Sequence, residues 1–282
     1  MARLAVTAPF GFTFDPPRLL KAYRALGVQT AQFYRNEKAP PTVAEALRAS
    51  DAAAVPYDSI HGLFGPHLDP TSPDAAHRDH CLRVYEDEGR LARDLGGPMV
   101  VVHPAAQTPD LKPLPRDFLD AQVPIRMPLL DQWMRRLAEI GARLGVVYLI
   151  ENQPLNCELG HDPVVLARAI AAVNSPFIRM CFDSGHAHIT GDAAGALRAC
   201  APVIAYLHLH DNDAILDDHR MPGDGNLPWA EFAHALRAAD LSAPRMLEVF
   251  PTEERVEQLA REGFAKRLSA MCDADLSVEQ AA

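Results

Sequence analysis

Residues 127–152 read MPLLDQWMRRLAEIGARLGVVYLIEN, and this stretch decides the fold. Its first part carries Leu130, Trp133, Met134 and Leu137 at helical spacing and stops at Gly145. Its second part, VVYLIEN, is a short, almost unbroken apolar run. A strand with one wet face would alternate, whereas a parallel strand covered on both faces is apolar throughout. The run ends in a carboxylate, Glu151. A helix feeding a doubly buried strand is one unit of a repeating β/α architecture.

The same unit recurs along the chain. Strands are expected at residues 3–8, 28–34, 57–62, 98–104, 146–152, 177–185, 203–211 and 245–251, with amphipathic stretches between them. Eight strands alternating with helices predict an α/β chain folded as a single (β/α)8 TIM barrel. The competing open sheet for dinucleotides lacks a GxGxxG after an early strand. No linker or repeat divides the chain, so residues 1–282 are read as one domain, with a frayed tail from about 273 to 282.

Bulk properties narrow the function. With 48% hydrophobic residues the chain can bury a large core, and its formal net charge of -10 argues against a broadly basic nucleic-acid surface. No apolar run approaches the roughly 20 residues needed to span a bilayer, and the N-terminal segment does not read as a signal peptide. The five cysteines, Cys81, Cys157, Cys181, Cys200 and Cys272, are scattered and odd in number, which suits a reducing cytoplasm.

Polar residues gather at the strand ends. His61 ends strand three, His103 strand four, Glu151 strand five and Asp183 strand six, with His186 one turn later. His208 lies near the end of strand seven, Asp217 and His219 in the loop after it, and Glu248 in strand eight. In a closed parallel barrel these C-terminal ends converge on one mouth. Each residue alone has a plain explanation, as a rim residue, a cap or a solvated loop charge. Their joint placement points instead to a divalent metal site, with zinc, manganese, cobalt or magnesium all compatible with imidazole and carboxylate donors.

At these residues the chain resembles the xylose isomerase-like TIM-barrel superfamily, which includes sugar phosphate isomerases and epimerases and the second family of apurinic endonucleases. The pieces that carry the resemblance are SIHG, VVVHP, LIENQP, CFDSGHA, LHLHDND…DDHRMPGDG and MLEVF, spanning residues 57–250. The resemblance implies one metal held by Glu151, Asp183, His208 and Glu248. The endonuclease pattern adds His61, His103, His186, Asp217 and His219 and implies up to three zinc ions per chain. Three pieces depart from that pattern. This chain reads DSGH where the endonucleases have DTCH-like text, His208-Leu209-His210-Asp211 where they have His-Leu-Asn-Asp, and HGLFGPH where they carry a tyrosine shortly after the first histidine.

Two mechanisms fit this inventory. In the first, a metal-dependent isomerase or epimerase moves a proton on a small sugar, sugar acid or sugar phosphate, with Glu151 and Glu248 as the proton-transferring pair. His186 and His210 are then shuttles, hydroxyl binders or outer support. Arg220 binds a substrate phosphate or carboxylate or faces solvent, and Trp229 floors the pocket or packs its loop. Arg35, in QFYRNEKAPP, clamps an anion, contacts DNA or lies in a solvated turn. In the second mechanism, a zinc-dependent apurinic endonuclease hydrolyses a phosphodiester with a trinuclear centre. The acidic chain favours the small-molecule substrate over DNA, and a homo-oligomer is compatible with the sequence.

Overall fold

The computed structural model describes residues 2–109 and 111–275. Its strands are β1 (Ala2–Phe10), β2 (Thr30–Arg35), β3 (Tyr57–His61), β4 (Met99–Val102), β5 (Val147–Glu151), β6 (Ile178–Asp183), β7 (Ile204–Leu209) and β8 (Arg245–Leu247). All pair in parallel in sequence order, and β1 pairs with both β2 and β8, which closes the barrel. The expected (β/α)8 barrel is the observed fold. No helix among the described residues is long and apolar enough to cross a membrane.

Helices α1 (Pro16–Ala25), α2 (Val43–Ala53), α3 (Ala75–Asp94), α4 (Arg116–Leu144) and α5 (Pro163–Val173) follow the first five strands. α6 (Ser184–Thr190) and α7 (Ala193–Cys200) follow β6, α8 (Trp229–Ala239) follows β7, and α9 (Glu253–Arg261) and α10 (Phe264–Cys272) follow β8. Local chemistry sets their ends. Thr42 and Glu45 form a reciprocal capping box on α2, and Asp162 accepts from the backbone of Val164 and Val165 at the start of α5. Gly145 takes φ 68° to terminate α4, a left-handed conformation that costs glycine little.

Several boundaries differ from the sequence reading; β4 stops at Val102 and β8 at Leu247, so His103 and Glu248 lie just past their strands. α4 begins at Arg116, upstream of Met127, although it contains Pro124 and Pro128. The tail does not fray at once. Ala274–Asp275 forms a short strand, β9, parallel to Ala2 and Arg3. The expected fraying of residues 276–282 lies outside the described residues.

Inside the barrel, Ala5, Val101, Leu149, Cys181, Tyr206 and Met246 form their own buried layer, distinct from the core beneath the helices. Side chains along a strand alternate with period two. The residue two positions beyond each layer member therefore points the same way, one storey closer to the C-terminal mouth. Val101 leads to His103, Leu149 to Glu151, Cys181 to Asp183, Tyr206 to His208 and Met246 to Glu248. The apolar layer is the floor on which the polar residues of the mouth stand.

Candidate metal centre

Among the described residues three groups of donors meet at the mouth, besides a set of Glu151, Cys181 and His208 that overlaps the first. Glu151, Asp183, His208 and Glu248 form the first, His61, His103 and Glu151 the second, and His186, His210, Asp217 and His219 the third. Within each group one donor atom per residue lies within 4.8 Å of the others. The central contacts converge on His208. Its Nδ1 is 2.6 Å from Glu151 Oε1, 2.8 Å from Glu248 Oε2 and 3.9 Å from Asp183 Oδ2.

Two carboxylates join the groups. While Glu151 Oε1 faces His208, its Oε2 faces His103 Nε2 at 3.1 Å and His61 Nε2 at 3.9 Å. Asp183 likewise turns Oδ2 to His208 and Oδ1 to His210 Nε2, 3.1 Å away. Asp217 faces the Nε2 atoms of His186 and His219, each at 3.2 Å.

Main-chain carbonyls orient three of the imidazoles. Nδ1 of His61 donates to Gly62 O at 2.9 Å, Nδ1 of His186 to Asn152 O at 2.8 Å, and Nδ1 of His219 to Glu248 O at 2.9 Å. A carbonyl only accepts, so Nδ1 carries a proton and Nε2 is the nitrogen left facing the carboxylates, the one a metal would take. Phe64 stacks on the His103 ring at 4.5 Å. Asn152 also locks β6, donating to Asp183 O at 3.0 Å and accepting from Asp183 N at 2.8 Å. Gln153 Nε2 donates to Glu151 Oε2 at 3.0 Å.

These residues fit a divalent cation. Glu151 Oε1, Asp183 Oδ2, Asp217 Oδ1 and His208 Nδ1 are buried without a hydrogen-bond partner. Leaving such atoms unmatched is costly, and a shared cation would satisfy them together. The charge balance agrees. Burial opposes ionisation of Glu248, yet His208 beside it holds its carboxyl down at about 2. Burial, reinforced by the neighbouring His103 and His208 and opposed by Glu248 and Glu151, pushes His61 down to about 4, which keeps it neutral and able to coordinate. His219 is also opposed by burial, but Asp217 raises it to about 10.

Most of the donors, but not the deeper Asp183, His208 and His210, line a cavity of about 470 Å³, with Tyr34, Phe64, Leu111, Leu216 and Phe250 as an apolar rim. Some expected substrate contacts lie elsewhere. Arg220 pairs with Asp213 and Asp218, each at 2.6 Å, and does not line the cavity. Trp229 is buried against Phe232, and its indole donates to Asp211 Oδ2 at 2.7 Å, so it packs the loop rather than flooring the pocket. Arg35 pairs with Glu88 at 2.5 Å and lines an adjoining recess with Asn36 and Lys38. His210, expected at the substrate, stands among the donors of the third group. Asp211 and Asn152 gave no metal or substrate signal in the sequence, and only their adjacency to donor residues marked them.

The barrel and its histidine–carboxylate mouth define a class of enzyme-type scaffold in which all the chemistry gathers at one end. Residues 20–268 match the family described as xylose isomerase-like TIM barrel, and the chain belongs to that family. An uncharacterized protein of Methanocaldococcus jannaschii is 26% identical over 182 residues, a match covering 63% of this chain. The matched region spans 59% of that relative's length. A D-tagatose 3-epimerase-like protein superposes with a TM-score of 0.75 at 19% identity, covering 96% of this chain and 98% of its own. A Thermus thermophilus protein soaked with zinc chloride superposes with a TM-score of 0.67 at 25% identity, covering 95% and 97%.

Proposed function

We propose that this protein is a divalent-metal-dependent isomerase or epimerase of a small sugar, sugar acid or sugar phosphate. One observation carries the reading. Glu151 and Glu248 converge on a single nitrogen of His208, and both carboxylates line a cavity with an apolar rim. Its volume suits a small ligand, since such sites run from about 300 to 1,000 Å³. The epimerase-like neighbour supports the same reading.

A divalent ion held by Glu151, Asp183, His208 and Glu248 supplies the Lewis acidity that loosens a C–H proton beside a carbonyl. The protein's own part is to receive and return that proton. Glu248 and Glu151 are both held ionised despite burial, because imidazoles lie against them. One accepts the proton and the other delivers it from the opposite side of the carbon skeleton. Gln153 fixes Glu151, and His186 lines the cavity where a substrate hydroxyl would lie. The rim side chains limit the water that competes for the proton.

The donor groups also favour a second reading, phosphodiester hydrolysis at an abasic site with three zinc ions. Duplex binding needs cationic side chains at the mouth, and among the described residues the cavity lining includes no lysine or arginine. The test is incubation with ketoses, sugar acids and sugar phosphates in D2O with Mn, Co, Zn or Mg. Isomer formation with deuterium beside the carbonyl, abolished by Glu151→Gln and Glu248→Gln, is the expected result. Cleavage of an abasic oligonucleotide with no sugar turnover would overturn it.

A further inference from the structure

His210 occupies an unusual position. Its side chain is fully buried, and neither ring nitrogen has a hydrogen-bond partner. The ring stacks on His219 with centroids 4.2 Å apart and planes 19° apart. Nε2 stands 3.1 Å from Asp183 Oδ1 and 3.5 Å from Asp217 Oδ1. The backbone is pinned by Ser184, whose Oγ donates to His210 O at 3.1 Å and accepts from His210 N at 3.2 Å.

Gly185 makes room for the ring. A Cβ at residue 185 would lie 2.0 Å from His210 Cε1 and 2.4 Å from Nδ1. Any side chain there would displace the imidazole from the donor group. A glycine in this helical turn costs about 1 kcal/mol relative to alanine. Burying an unpartnered imidazole adds a further penalty. Coordination would repay both.

We infer that His210 is a metal ligand, admitted by Gly185, and that it closes the site formed with His186, Asp217 and His219. With His210 this group has the four protein donors of a tetrahedral shell, where His186, Asp217 and His219 alone would leave a position open. An ion held there ties the loop bearing Asp217 and His219 to the mouth. This inference rests on the metal dependence proposed above.

The test titrates metal-free wild type, His210→Asn and Gly185→Ala with Co2+ and Zn2+, reading stoichiometry by elemental mass spectrometry and coordination by the cobalt visible spectrum. Wild type should bind one more ion than either variant, and that ion should carry the intense bands of a four-coordinate shell. His210→Asn should lose that ion or bind it at least about tenfold more weakly, since even outer-shell changes cost that much. Gly185→Ala should lose the same ion with every donor still present, which keeps the test alive if His210→Asn does not fold. In thermal melts, Gly185→Ala should destabilise wild type but be tolerated beside His210→Asn. Unchanged stoichiometry, affinity and spectrum in both variants would overturn this inference alone. Failure of wild type to take up metal would overturn it together with the metal-dependent reading.

Discussion

Trp229 and Asp211 are joined across the long loop after β7, the indole Nε1 donating to Oδ2 of the carboxylate at 2.7 Å. The same carboxylate accepts from Gly223 N at 2.8 Å, Leu227 N at 3.0 Å and Asn212 N at 2.9 Å. Four donors from one loop thus meet on one buried side chain. Gly225 packs so close that a Cβ there would lie 2.4 Å from Asp211 Oδ1.

Asp211→Ala should therefore loosen the loop that carries Asp217 and His219. Hydrogen bonds to a charged acceptor contribute about 1.5–3 kcal/mol each, and water will recover part of that. A loss on the order of 3 kcal/mol in urea unfolding is expected, with a red shift of Trp229 emission in the native state. Unchanged emission and midpoint would show that Asp211 does not organise the loop.

Glu151→Gln should disturb two donor groups at once, because each of its oxygens serves a different one. Metal content should fall further than in the double variant His61→Ala/His103→Ala, which empties only the second group. Equal losses in the two proteins would contradict the bridging role.

The metal-free protein should weaken as pH rises. Asp217 holds His219 protonated up to about 10 in the folded state, against about 6.5 unfolded. The folded state thus binds the proton more tightly. The resulting stability is complete below about 6.5 and is lost as pH climbs through about 10. Metal must displace this proton, so the loaded protein should lack that dependence, and metal uptake at neutral pH should release protons. Thermal melts of both forms from neutral to alkaline pH, with calorimetry in buffers of differing ionisation heat, measure this.

Beneath the mouth, Tyr206 Oη donates to Asp58 Oδ1 at 2.8 Å, and Thr30 Oγ1 donates to Oδ2 at 2.6 Å. Burial pushes the Asp58 carboxyl up, and these donors restrain the rise. Tyr206→Phe removes one of them inside the barrel. A stability loss of about 1–3 kcal/mol is expected, with metal content preserved. Loss of metal would place Tyr206 in the centre itself.

The sequence disclosed the barrel because its information is local. Unbroken apolar runs such as VVYLI are held between helices, and a polar residue two positions past each inward apolar side chain marks the mouth. The role of His210 was hidden because it depends on empty space at Gly185, distant in sequence. Arg220 looked available for an anion, but Asp213 and Asp218, from the same acidic loop, engage it. Pro124 and Pro128 obscured the first turns of α4, since proline ordinarily argues against a helix interior. The buried faces of Leu119, Leu130 and Trp133 show that packing outweighs that preference here.

The sharing of Glu151 and Asp183 also shapes how such a mouth can change over generations. The donor group on β5 to β8 is complete without His61 and His103, and the group around Asp217 is built on a loop rather than a strand. A lineage can discard the histidine pair, or redraw the loop, while the central four residues keep working. Each such change would leave the central set of ligands intact. Nested donor groups of this kind let one barrel drift between simpler and richer metal inventories by single substitutions, without passing through a ruined ancestor.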